Sequence, residues 1–368
     1  MNENEFKTQI GIDLDEYPAD VPESMEIRNE PEPMVKEGAE TAKVVGIDIG
    51  TSKIVVAQKI NGKVDYTSQL NAFIPVEYSK LTEGVLKQSR IRHYRKDDIL
   101  MVYGDGAEVY AEMLSQETRR PMRSGLLNPG ESNSNEVIRK ILNDLVTPTK
   151  IQDKKLCFSI PGIPSDYESD IIYHEAIIRR HLEERGYKAK SINEGLSVVF
   201  SELANENFTG FGISAGGGMC NVCLAYLSIP LISFSIKKGG DYIDDSAAKV
   251  TNENSMRVRH IKETELDLNR KPKNDIEEAL HIYYEDMIKS LIKTMKDSIR
   301  EATNLPKVNR AIPIILSGGS AKPTGFKEKF ESFFMKEHFP IDVSEIRMAK
   351  NPLFATAKGA LIAAMYEE

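Results

Sequence analysis

Alternation of apolar and polar positions begins at Lys43, where KVVGIDIG reads as a buried strand closing on glycine. After a two-residue gap SKIVVAQKI resumes as its antiparallel partner, and Asn61-Gly62 supplies a turn with positive φ into a third strand over 63–70. Roughly 165 residues further on the pattern returns: GFGIS as a strand, AGGG as the loop, MCNVCLAYL as the next strand and LISFSIKK as the third. Two copies of one glycine-tipped hairpin unit predict an internal duplication, with two similar lobes facing each other across a cleft.

Between the hairpins KLCFSIP reads as a strand, 171–185 as an amphipathic helix stopped by Gly186, KAKSI as a strand and 195–203 as a helix, which is α/β order. The polar stretch 75–129 interrupts the first unit as an inserted subdomain would. In the second unit Ile276, Leu280, Tyr284, Met287, Ile288, Leu291, Met295 and Ile299 mark one face of a long helix leading into the buried strand AIPIILSGG. A helix over 326–334, the strand IDVSEI and a small-residue helix over 353–365 complete the chain. The expected organisation is a disordered tail at 1–42, a first lobe at 43–190 with an insertion at about 72–134, and a second lobe at 191–368 with an insertion at about 242–305.

The 368 residues, 40% apolar and 28% charged, suit a folded two-domain protein, and no run approaches the ~20 apolar residues that span a bilayer. MNENEFKTQI puts acids where a signal peptide places lysines, and three cysteines make no disulfide framework, so the expected address is the cytoplasm. Charge is uneven: residues 1–40 hold 12 acidic and 3 basic side chains, against a net charge of −8 for the whole chain. With four prolines in 14–40, this tail cannot bury enough apolar surface to offset its ordering entropy; it is either a solvating leader or a docking tail for a basic partner. No basic stripe interleaved with aromatics is present, which argues against nucleic acid. The six histidines show no HExxH spacing. Cys220 and Cys223 form a CxxC, but on a strand their side chains point to opposite faces.

GIDIGTSK ends a strand in a turn rich in backbone N–H donors and adds Asp48, Thr51 and Lys53. Asp48 suits a hydrated Mg²⁺ held through water, while Lys53 and the amides of Gly50, Thr51 and Ser52 suit phosphate oxygens. Gly216, Gly217 and Gly218 remove every Cβ that would keep a second turn from a phosphate. A third turn, Gly318-Gly319, allows close approach of a flat ligand such as a purine.

In order along the chain, GIDIGTSK, INEGLSVV, GISAGGGMCNV, KKGGDYID, IKE, ILSGGS and AKGALIAA resemble the actin, sugar kinase and heat-shock chaperone ATPase superfamily, and within it bacterial actins such as MamK and MreB. The resemblance covers nearly everything after residue 43. It implies a two-lobed actin-like fold of duplicated mixed-sheet α/β domains, with ATP or ADP and Mg²⁺ in the cleft. It implies that Glu194 orients the attacking water, that Lys262 and Glu263 line the purine and ribose, and that Gly318, Gly319 and Ser320 form the adenosine motif. It implies self-association into cytoskeletal filaments with slow ATP hydrolysis; the alternative is a non-polymerising, chaperone-like ATP switch acting on a protein partner. One departure stands out: the second phosphate motif of the superfamily usually opens on aspartate and continues with threonines, whereas Ser214, Met219 and Cys220 occupy those positions here. Loss of a metal-directing carboxylate is expected to slow hydrolysis, with Asp241 as a candidate to compensate.

Overall fold

The structure is a computed structural model that describes residues 44–149, 154–163, 168–302, 305–306 and 310–366, with backbone only at 168–170. The acidic tail and Lys43 lie outside the described residues.

The first hairpin comprises β1 (Val44–Ile49) and β2 (Lys53–Ile60), and Asn61 and Gly62, both with positive φ, turn the chain into β3 (Lys63–Leu70). There follow β4 (Phe73–Glu77), α1 (Lys80–Gln88), β5 (His93–Lys96), β6 (Ile99–Tyr103), α2 (Asp105–Met113), β7 (Met122–Arg123), β8 (Leu126–Leu127) and α3 (Ser134–Leu145). β9 (Lys154–Ile160), α4 (Glu168–Glu184), β10 (Tyr187–Asn193) and α5 (Glu194–Glu202) close the first unit. The second opens on β11 (Gly210–Ala215), β12 (Cys220–Tyr226) and β13 (Ile229–Ile236), then runs through α6 (Gly240–Thr251), α7 (Ser255–Thr264) and α8 (Asp275–Glu301). β14 (Ile312–Ser317), a single 3₁₀ turn at Gly319–Ala321, α9 (Phe326–Phe334), β15 (Val343–Met348) and α10 (Ala355–Tyr366) end it.

Strand order shows the duplication directly. One five-stranded sheet runs β10-β9-β1-β2-β3 and the other β15-β14-β11-β12-β13, so each strand of the first has a counterpart in the second. The senses agree as well: the hairpins β1/β2 and β11/β12 are antiparallel, and β1/β9 and β11/β14 are parallel. The insertion expected at about 72–134 contains the three-stranded sheet β4-β6-β5, which packs Ile74, Leu100 and Val102 against Ala107 and Ala111 of α2. The strand expected at IDVSEI sits two residues later because Val343 is the first position to pair with β14.

Each sheet is sandwiched by helices. Val137, Ile138 and Ile141 of α3 and Ile178 and Leu182 of α4 cover one face of the first sheet; Ile243, Leu280, Tyr284 and Phe330 from α6, α8 and α9 cover one face of the second. The opposite faces exchange helices. α10, the last element in sequence, crosses back to the first sheet, where a Cβ on Gly46 would lie 2.1 Å from the Leu361 nitrogen. α5 does the same on the second sheet, where a Cβ on Gly212 would lie 2.2 Å from the Gly195 carbonyl. Between the sheets α5 and α10 touch backbone to backbone, since a Cβ on Gly359 would sit 1.8 Å from the Ser197 carbonyl. The small-residue stripe of α10 thus lets two helices and a sheet pack at distances no side chain would permit.

Two histidines on α4 set an acid limit. His174 and His181 are buried, neither ring has a hydrogen-bond partner among the described residues, and desolvation pushes each down to about 4. A group depressed in the folded state contributes its full stability above the unfolded value near 6.5 and loses it as pH falls toward 4. For fully buried His174 the shift corresponds to about 3 kcal/mol. Thermal unfolding followed from pH 7 to pH 4 should therefore show a steep drop, flattened in His174→Leu; an equal drop in both proteins would remove His174 as its cause.

Candidate functional site

The two hairpin turns are built alike. The Gly50 N–H donates to the Lys53 carbonyl at 3.0 Å, and the Gly216 N–H donates to the Met219 carbonyl at 2.9 Å, closing the same tight loop in each lobe. The loops meet face to face: a Cβ on Gly217 would lie 2.2 Å from Ser52 Oγ, and one on Gly218 would lie 2.5 Å from Thr51 Oγ1 and from the Gly125 nitrogen. Thr51 is buried and its hydroxyl accepts from the Gly125 N–H at 3.0 Å, which fixes the tip of the β7/β8 hairpin beside the first turn. Backbone atoms of Gly125 and Ser124 leave no place for a side chain at 218, whereas at 217 a Cβ would displace the Ser52 hydroxyl.

Asp48 stands two residues before the first turn, and Glu194 bonds Ser214, two residues before the second. Ser159, at the end of β9, donates its hydroxyl to Asp48 Oδ1 at 2.9 Å while accepting from the Ile49 N–H. Glu194 is the first residue of α5, whose cap is the Asn193 side chain accepting from the Leu196 N–H. Ser214 Oγ and Asn221 Nδ2 both donate to Glu194 Oε2, at 3.2 and 2.9 Å. Desolvation raises Asp48, and desolvation together with the Asp48 charge raises Glu194 well above the ordinary carboxylate range. Two buried carboxylates that repel each other form a donor set suited to a hard divalent ion. Among the described residues no group of three or more His, Cys, Asp and Glu side chains is placed to hold a metal ion by itself.

The other positions singled out in the sequence gather around the second turn. Ser320 Oγ donates to the Gly216 carbonyl at 2.8 Å, and Gly318, with φ of 95°, comes so close that a Cβ would lie 2.2 Å from the Ala215 carbonyl oxygen. Gly319 opens the 3₁₀ turn and is exposed. The first amides of α6 also dock here, Gly240 N–H on the Gly216 carbonyl and Asp241 N–H on the Gly217 carbonyl. Lys262 is buried under that helix start, bonded to Asp244 at 2.7 Å and to the Gly240 carbonyl at 3.2 Å. Glu263 beside it is exposed, and Lys53 opens β2 with an exposed side chain, its carbonyl closing the turn. Asp241 reaches the second turn, with Oδ1 3.6 Å from where a Cβ on Gly217 would be.

Several residues of this constellation carry no local signal. Arg120 Nη1 reaches the carbonyls of Thr51 at 3.5 Å and Ser52 at 3.4 Å, and Arg259 of α7 pairs with Asp244 at 3.3 Å and Asp241 at 3.8 Å. Asn221 joins the lobes, since its Oδ1 accepts from the Gly162 N–H at 2.8 Å while its Nδ2 holds Glu194. It sits inside the CxxC, where strand alternation could have flagged it as facing α5. Cys220 packs with the α6/α8 side of the sheet and Cys223 with the α5 side, and burial pushes both thiols up to about 12.

Two duplicated mixed sheets whose glycine turns close on one another beside a carboxylate pair define the actin-like ATPase fold. Solved structures agree. The MamK double helical filament superposes with a TM-score of 0.65 at 20% identity, over 88% of this chain and 99% of that one. MreB 5 of Spiroplasma citri bound to AMPPNP gives 0.61 at 14% identity, over 86% and 94%. A non-polymerising MamK mutant bound to AMPPNP gives 0.56 at 18% identity, over 88% and 98%. The chain belongs to the volactin family, whose model matches residues 44–364. No curated protein sequence matches it. Among the described residues no helix is long and apolar enough to cross a membrane.

Proposed function

We propose that this chain is a filament-forming actin-like protein that binds an adenine nucleotide with Mg²⁺ between its two glycine turns and hydrolyses it slowly. The observation that carries the reading is the meeting of Gly217 and Gly218 with Ser52 and Thr51, together with the interacting buried carboxylates Asp48 and Glu194. Asp48 is two residues before the Gly50 turn, and Glu194 is bonded to Ser214, two residues before the Gly216 turn. The fold shared with the MamK filament and with AMPPNP-bound MreB 5 supports it.

In this reading the amides of Gly50, Thr51 and Ser52, the Lys53 ammonium and the amides of Gly216, Gly217 and Gly218 hold the phosphates. Lys262 and Glu263 flank the ribose, and Gly318, Gly319 and Ser320 leave space for the purine. Asp48 would hold Mg²⁺ through water, and the bound ion would neutralise charge on the phosphate oxygens. Glu194, its Oε2 occupied by Ser214 and Asn221, turns Oε1 to a water and polarises it for in-line attack. Hydrolysis is slow because Ser214 supplies a hydroxyl where a carboxylate would direct the metal. The lobes divide after β10, a few residues past 190, and the working compartment is the cytoplasm.

Cleft closure around nucleotide sets the relative orientation of the lobes, and closed subunits join head to tail. Electron microscopy without nucleotide, with Mg-ADP and with Mg-AMPPNP is expected to show filaments only with nucleotide, and none in Asp48→Ala. Nucleotide binding without filaments in any condition would instead favour a monomeric switch acting on a protein partner.

A further inference from the structure

Arg120 and Arg259 belong to opposite lobes, and each is attached to one side of the same contact. Arg120 lies in the irregular chain between α2 and β7 and bonds the Ser52 carbonyl at 3.4 Å; Ser52 Oγ is the atom nearest a Cβ on Gly217. Arg259 pairs with Asp241 at 3.8 Å, and Asp241 donates its amide to the Gly217 carbonyl at 2.8 Å and aims its carboxylate at the same Gly217 position. Two guanidinium groups therefore flank the Ser52–Gly217 junction, one from each lobe.

We propose that Arg120 and Arg259 form a two-lobe clamp for the terminal phosphate of a nucleoside triphosphate, and that this clamp makes the cleft discriminate triphosphate from diphosphate. The inference rests on the nucleotide reading above and assigns it a specificity element. Asp48 and Glu194 interact with each other, while the arginines attach to the turns, Arg259 with Asp241 and Asp244 beside it. Lys262 is buried against the same Asp244 and bonds the Gly240 carbonyl, which holds it away from the Ser52–Gly217 junction.

Arg120 pays a desolvation cost in the cleft, and Arg259 is the largest neighbouring charge opposing its positive form, with Asp241 and Glu263 offsetting part of that repulsion. Its contacts to the two carbonyls are long and use one nitrogen, so among the described residues the other N–H groups of the fork are open to a further acceptor. Arg259 already pairs with Asp244 at 3.3 Å and only loosely with Asp241 at 3.8 Å, so a phosphate group beside Arg120 can take the place of the loose contact and form charge-assisted bonds to both lobes. A ligand ending one phosphoryl group short engages the turns without bridging the arginines. Because a ligand shifts a conformational equilibrium only through its differential affinity, this pair gives the triphosphate its specific hold on the closed state.

The test is fluorescence titration of the full chain with Mg²⁺ and labelled ADP or AMPPNP, in wild type, Arg120→Ala, Arg259→Ala and Arg120→Lys. Each alanine variant is expected to lose about 10- to 100-fold in AMPPNP affinity and less than about 3-fold in ADP affinity, on the usual strength of a hydrogen bond to a charged group. Arg120→Lys keeps the charge without the fork and should fall between; its thermal midpoint, matched to wild type, reports an intact fold. Equal losses for both nucleotides in all variants, or no loss, would overturn the clamp while leaving the cleft assignment standing. Wild-type protein that binds neither nucleotide would overturn both.

Discussion

Glu194→Gln is expected to lower the rate of ATP hydrolysis by about 100- to 10,000-fold while preserving nucleotide binding, because the amide keeps the shape of the side chain but cannot polarise water as a carboxylate does. Its second effect has the opposite sign. In the nucleotide-free protein Glu194 is raised by burial and by Asp48, so its folded-state pKa exceeds the unfolded value. Such a group contributes stability below the unfolded value, and that stability is lost as pH rises through the folded one. Between pH 5 and pH 8 the unfolded chain ionises this carboxyl while the folded protein holds its proton up to about pH 8, so wild type loses stability that the neutral amide keeps. Thermal unfolding without metal or nucleotide should thus show Glu194→Gln melting above wild type at pH 8, with the gap closing toward pH 5. Phosphate release in single-turnover assays gives the rate. A variant that hydrolyses at the wild-type rate, or melts below wild type at pH 8, would separate Glu194 from the role assigned to it.

The parts of this fold legible in the sequence depend on short-range periodicity. Both hairpins were readable because period-2 alternation stops at a glycine and restarts two to four residues later, and the α8 stripe from Ile276 to Ile299 because one face alone is apolar. Asp48, Gly50 and the 216–218 triplet lie on those hairpins and inherit their legibility. What the sequence hides is register across long separations. Ser159 bonds Asp48 from 111 residues away, and Asn221 is placed against Glu194 and Gly162 only once the sheets have formed. Arg120 comes from an irregular segment with no periodicity, and its role follows from where β7 and β8 are pinned by the Gly125–Thr51 bond. The crossing of α10 to the first sheet has a visible cause, the run of small residues, but nothing local says which sheet will receive it. The GGD turn at 239–241 was legible as a turn, yet its docking on the Gly216 and Gly217 carbonyls was not.

Ser214 is the position where this chain departs from the pattern it otherwise follows, and its environment lets the departure be tested in both directions. The side chain is buried and donates to Glu194 at 3.2 Å, so it serves as a neutral partner to a raised carboxylate. Ser214→Asp would put a third carboxylate into the group formed by Asp48 and Glu194 and delete the hydroxyl donor. Without metal this is destabilising: like charges in a desolvated site repel, and the new side chain's folded pKa should also rise, so the loss of stability grows from pH 5 to pH 8. With Mg²⁺ and nucleotide the same carboxylate becomes a partner for the ion and its water, and apparent metal affinity is expected to rise by about 10- to 100-fold, with faster phosphate release. Thermal melts with and without Mg-AMPPNP, across that pH range, separate the two effects, since the variant should melt below wild type in EDTA and gain more from the metal complex. A variant destabilised equally in both conditions would show that residue 214 packs against Glu194 without facing the metal, and would remove Ser214 as a reason to expect slow hydrolysis.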